Sequence, residues 1–113
     1  MKYVIDIDET ICEEVGEVIG RKPYKDRIEK INKLYDEGHT ITFFTARPKK
    51  YYMITTDWLI ENGFKYHGLI MDKPRGGNYH WIDNLKVQAT QYLGNFTELK
   101  KTNKTIETFD ETL

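Results

Sequence analysis

A single cysteine, Cys12, stands in the 113 residues, so the chain has no internal disulfide, no cysteine cluster for zinc and no mark of an oxidising compartment. Its residue type reads as a small buried hydrophobe. No apolar run approaches the ~20 residues of a membrane span, and the opening MKYVIDIDETI meets aspartate too early for a signal peptide. The expectation is a cytoplasmic protein with no membrane partner. Excess charge of one sign is also missing: the net charge is -1, so any preference for an anion has to come from local clustering. Internal repeats and low-complexity linkers are absent as well. What remains, 39% hydrophobic, 13% aromatic and 31% charged residues, belongs to a globular chain and not to a disordered one. At this length one modest core fits, which predicts a single domain over 1–113.

Apolar spacing sets the expected elements. Tyr3 to Ile7 is apolar except for Asp6, as in a strand covered on both faces of a parallel sheet. Ile28, Ile31, Leu34 and Tyr35 recur at helical spacing over about Lys25 to Glu37, and Gly38 supplies a stop. TITFFT, Thr40 to Thr45, is a second strand, followed by a helix over about Tyr51 to Asn62 closed by Gly63. Short strands are expected at Gly68 to Met71 and Tyr79 to Ile82, and Leu85, Ala89, Tyr92 and Leu93 mark one face of a third helix. The tail over 94–113, with its run TIETF, reads as an edge strand or a frayed end. Alternating strands and helices with short connections predict an α/β fold, a three-layer Rossmann-like sandwich around a mainly parallel central sheet.

Ligands of such sheets bind outside the carboxyl ends of the strands. The first strand ends in Asp6-Ile7-Asp8-Glu9-Thr10 and the second in Thr45-Ala46-Arg47-Pro48, while the third leads to Asp72-Lys73-Pro74 and the fourth to Asp83-Asn84. Asp6 and Asp8, two apart on extended backbone, project to the same side. One carboxylate can attack phosphorus while the other protonates the leaving oxygen and later deprotonates water. Hard oxygen ligands without clustered Cys or His favour magnesium over zinc, with Asp83 as a third acid. Lys73 and Thr45 supply the positive charge and hydrogen bond that phosphoryl transfer needs.

These residues carry a resemblance. VIDIDETI is similar to the first motif of the haloacid dehalogenase (HAD) superfamily, ITFFTAR to its second, DKP to its third and WIDN to its fourth, together covering roughly residues 2 to 93. The resemblance implies Asp6 as nucleophile, Asp8 as general acid/base, and Thr45, Ala46, Arg47 and Lys73 around the substrate phosphate. It implies Mg2+ held by Asp6, by Asp8 through its backbone carbonyl, and by Asp83. Asp at position 8 favours the phosphatase branch over the dehalogenase branch. Asn84 departs from the family, many of whose members carry a second acid there.

Caps inserted in this superfamily restrict substrate size, and this chain has room only for a short flap, EEVGEVIG, and a single helix after Arg47. A site with minimal or no cap accepts bulky substrates or is covered by a neighbouring copy in a homo-oligomer. Arg47, Lys49, Lys50, Lys73 and Arg75, with Tyr51 and Tyr52, give a cationic rim with aromatic faces. TARPKKYYMITTDWLIENG is similar to the same region of polynucleotide kinase 3'-phosphatase domains and of small phosphatases of capsule synthesis. The leading expectation is a Mg-dependent phosphomonoesterase acting on a small phosphorylated metabolite, such as a sugar phosphate or nucleotide, through an aspartyl phosphate. The alternatives are a phosphatase of nucleic acid 3' or 5' ends and, in another class, a catalytically weak binding or regulatory module. His39, His67 and His80 have no spacing of a metal site.

Overall fold

The computed structural model describes residues 1–13 and 21–90, and the backbone of 104–106. Contacts divide the chain into two compact units, Met1–Arg75 and Gly76–Leu113.

In the first unit three strands, β1 (Lys2–Ile5), β2 (Thr40–Phe44) and β3 (Gly68–Ile70), form a parallel sheet in the order β1-β2-β3. Register pairs Ile5 with Phe43 and Phe43 with Leu69, so these side chains share a face. The crossovers are α1 (Lys25–Asp36) and, after a 3-10 turn at Lys49–Tyr51, α2 (Tyr52–Glu61). Both helices end on a glycine in the left-handed region, Gly38 at φ 95° and Gly63 at φ 81°. There the next two amides fold back: Gly38 and His39 donate to Tyr35 and Leu34, and Gly63 and Phe64 donate to Ile60 and Leu59. Glycine enters that conformation without the Cβ penalty, which is why both helices stop where the sequence places it.

The core lies on one sheet face. Ile5, Ile7, Ile41 and Phe43 meet Ile31 of α1 and Trp58 and Leu59 of α2, all buried. Phe43 packs edge-on against Phe64 at 5.8 Å and Tyr66 at 5.5 Å, and Trp58 stacks on Phe64 at 5.7 Å. Asn32 of α1 donates to the Gly63 carbonyl and accepts from the Lys65 amide, so the two helices cover the same face. On the other face Val4 and Ile70 are about half exposed, at 52% and 51%. The α/β class and the parallel sheet are those expected, and among the described residues the sheet and its helix pair form two layers, with both helices on one face.

In the second unit β4 (Val87–Ala89) runs antiparallel to β5 (Lys104–Ile106), pairing Val87 with Ile106 and Ala89 with Lys104. This corrects the helix expected from Leu85 and Ala89. A few apolar residues fit either period, and the backbone hydrogen bonds offered by 104–106 decide for strand. The strand expected at Tyr79 to Ile82 is not formed: Tyr79, Trp81 and Ile82 are exposed, and among the described residues no strand pairs with them. β5 overlaps the TIETF run. Residues 14–20 of the expected flap, with Tyr92, Leu93 and most of the tail, lie outside the described residues. No helix among the described residues is long and apolar enough to cross a membrane.

Candidate active site

Beyond β1 the chain turns at once. The amides of Thr10 and Ile11 both donate to the Ile7 carbonyl, at 3.1 and 2.9 Å, while Glu9, at φ 65°, donates its amide to the Cys12 carbonyl at 3.0 Å. The turn brings the Thr10 hydroxyl back onto Asp6 Oδ2 at 3.0 Å. On the other side of the same carboxylate, Lys73 Nζ stands 3.8 Å from Asp6 Oδ1. Lys73 arrives from the end of β3, where its amide donates to the Thr45 carbonyl at 2.9 Å and its ammonium lies 5.8 Å from the centre of the Phe44 ring. The bend just before it is Asp72, at φ 59°, a sparsely populated conformation for a residue with a side chain.

Asp8 sits differently. Arg47 Nε donates to Oδ2 at 2.9 Å and Nη2 to Oδ1 at 2.7 Å, a two-pronged clamp, and Arg21 Nη1 also donates to Oδ1. Burial alone raises the Asp8 pKa and is the largest single influence, but the hydrogen bonds and charges of Arg47 and Arg21 outweigh it and hold the carboxyl below its usual range. Arg47 is itself buried, with its third nitrogen donating to Thr55 Oγ1 at 3.0 Å and its guanidinium facing Trp58 at 5.9 Å. Arg21 is the functional candidate that sequence reasoning missed: its carbonyl accepts from Trp58 Nε1 at 2.8 Å, which anchors it, and its Nε has no hydrogen-bond partner among the described residues.

Thr45 is fully buried and its hydroxyl accepts the Arg47 amide at 3.2 Å, so its Oγ braces the bend instead of facing outward. The Ala46 carbonyl accepts a fork from Arg75, at 3.2 Å from Nε and 2.9 Å from Nη2. Thus Asp6, Asp8, Thr45, Ala46, Arg47 and Lys73 are gathered in one unit on the ends of the three parallel strands. Asp83 belongs to the second unit, where no strand precedes it. There it organises a local turn, accepting the Trp81 indole N–H at 3.1 Å and the Leu85 amide at 3.0 Å, and the first of these bonds, with the second, lowers its pKa.

Among the described residues no group of three or more His, Cys, Asp or Glu side chains could hold a metal ion. Both Asp8 oxygens are occupied by guanidiniums, which leaves the Asp6 carboxylate and the Asp8 backbone carbonyl as hard oxygen donors. Magnesium suits that small set, since it commonly keeps several waters and takes one or two carboxylates plus substrate phosphate.

No family model matches the chain. It is 42% identical over 45 residues to a Bacillus cereus protein named "Putative nucleotidase", a match over 40% of this chain and 24% of that protein. The chain thus spans about a quarter of that relative's length. A crystal structure of a target protein from Vibrio cholerae superposes with a TM-score of 0.60 at 25% identity, covering 73% of this chain and 78% of that one. The fold is therefore shared with a solved protein, and the stretch in common with the nucleotidase gives a phosphatase-like likeness.

Proposed function

We propose that the chain is a Mg-dependent phosphomonoesterase of the HAD type in which Asp6 attacks phosphorus. The observation that carries this is the Asp6 carboxylate at the end of β1, braced by the Thr10 hydroxyl at 3.0 Å and faced by the Lys73 ammonium at 3.8 Å. A nucleophile has to be ionised and aimed, and a cation beside it attracts the phosphoryl oxygens whose charge is shared in the transition state. Asp6 is also accessible, its side chain 37% exposed. Magnesium, when bound, neutralises phosphoryl charge and orients the group for in-line attack. Asp8, ionised in its arginine clamp, is in the form that deprotonates water for hydrolysis of the aspartyl phosphate; to act as the acid it has to gain a proton first. The nucleotidase name of the partial relative supports a nucleotide or similar small phosphate as substrate. The exposed Lys49, Lys50 and Tyr52 support a nucleic acid end as the second reading.

The test is hydrolysis of an aryl phosphate, nucleoside monophosphates and end-phosphorylated oligonucleotides, with and without magnesium. Activity should appear with magnesium and vanish with chelator. Asp6→Asn should be inert and Lys73→Ala should lose on the order of 10²–10³ in kcat. Full activity in Asp6→Asn removes the nucleophile assignment, and no hydrolysis of any phosphate ester by the wild type removes the enzyme reading in favour of a binding module.

A further inference from the structure

Asp8, Arg47 and Arg21 form one cluster whose side chains are 19%, 4% and 15% exposed. Two guanidiniums share a single carboxylate there, so the cluster carries a surplus positive charge largely shielded from water, an expensive arrangement until an anion completes it. The two arginines are not equivalent. Arg47 uses all three of its nitrogens, Nε and Nη2 on Asp8 and Nη1 on Thr55. Arg21 gives Asp8 one nitrogen, Nη1; its Nε is buried without a partner, and its Nη2 forms no hydrogen bond with the described residues. Its main chain is held by the Trp58 indole, which donates to the Arg21 carbonyl at 2.8 Å. A fixed residue thus presents a guanidinium most of whose donors are unused.

Position decides which anion it serves. In the phosphomonoesterase reading, on which this inference rests, the transferred phosphoryl group is met by Asp6 and by Lys73, 3.8 Å apart. The ester oxygen that departs lies within hydrogen-bond reach of the Asp8 carboxylate, about 2.6–3.2 Å. Arg21 bonds that same carboxylate, so its Nη1 stands within two hydrogen-bond lengths of the departing oxygen, on the side of the leaving group. We propose that Arg21 binds a second anionic group carried by the leaving group, and so selects phosphate esters whose leaving group is itself phosphorylated, the chemistry of a nucleoside bisphosphate. A phosphate offers the guanidinium a two-pronged acceptor and cancels the surplus charge of the cluster. A neutral leaving group does neither.

Phosphate release from adenosine 3',5'-bisphosphate, compared with release from adenosine 3'-monophosphate and 5'-monophosphate at fixed magnesium, tests the assignment. Whichever phosphate departs from the bisphosphate, the other belongs to the leaving group. The wild type should favour the bisphosphate by about tenfold in kcat/KM. Arg21→Met should slow all three substrates through Asp8 and also bring the ratio to about one, which a loss of structure alone does not do. Arg21→Lys keeps the charge but not the fork, so its ratio should fall to about threefold. Lys30→Met, the same change in net charge on the exposed side of α1, should keep the full ratio. No preference in the wild type, or the full preference in either Arg21 variant, overturns the assignment while the esterase reading stands. Failure of the wild type to hydrolyse these three and an aryl phosphate overturns both.

Discussion

Asp8 places one negative charge among two guanidiniums, one of them, Arg47, only 4% exposed. Replacing it by Asn leaves Arg47 inside the protein without a counter-charge, a loss of about 3 kcal/mol for a pair of this kind. The sign of the pH dependence follows from the lowered pKa. A carboxyl held below its ordinary value of 3.8 contributes its full stability above that value and loses it as pH falls through the lower folded value. The gap between wild type and Asp8→Asn in urea unfolding should therefore be constant from pH 7 to near pH 4 and shrink below that. An equal gap at pH 3 means that the carboxylate is not the form the arginines hold. That Asp6 and Lys73 gather at one rim could be read from residue type and strand ends. That Arg47 turns back onto Asp8, 39 positions away, could not, because the sequence shows an arginine at the rim but not which anion it faces. Arg21 gave no periodic or motif signal at all.

At the scale of elements, the same two glycines that close the helices are exposed to a direct check. A methyl group at Gly63 meets nothing within 4 Å, so space is not the obstacle; the backbone is, at φ 81°. Gly63→Ala should cost about 1 kcal/mol in chemical denaturation. A neutral result means that the left-handed turn is not required there. These stops were legible, as were β1 to β3 and both helices, because buried apolar runs and helical spacing were long enough to separate the two periods. β4 was not, since Val87 to Ala89 owes its conformation to a partner strand distant in sequence. Tyr79 to Ile82 failed for a related reason: an apolar, aromatic stretch becomes a strand only where a neighbour completes its hydrogen bonds.

For the molecule as a whole, Cys12 reports on global opening. It is fully buried, and its thiol pKa is pushed up to about 12, first by burial and next by the Asp8 charge. Native protein at neutral pH should resist thiol reagents, and labelling should follow the denaturant unfolding curve, because the thiolate is the reactive form. Rapid labelling of the native protein means that the turn around Ile7 and Cys12 opens on its own. The split of the chain between Arg75 and Gly76 has a different reach. The described contacts of Asp6 and Asp8 come from Thr10, Cys12, Arg21, Arg47 and Lys73, all before that boundary. The Asp6 and Asp8 carboxylates and the cations that face them are thus encoded on one uninterrupted stretch of gene.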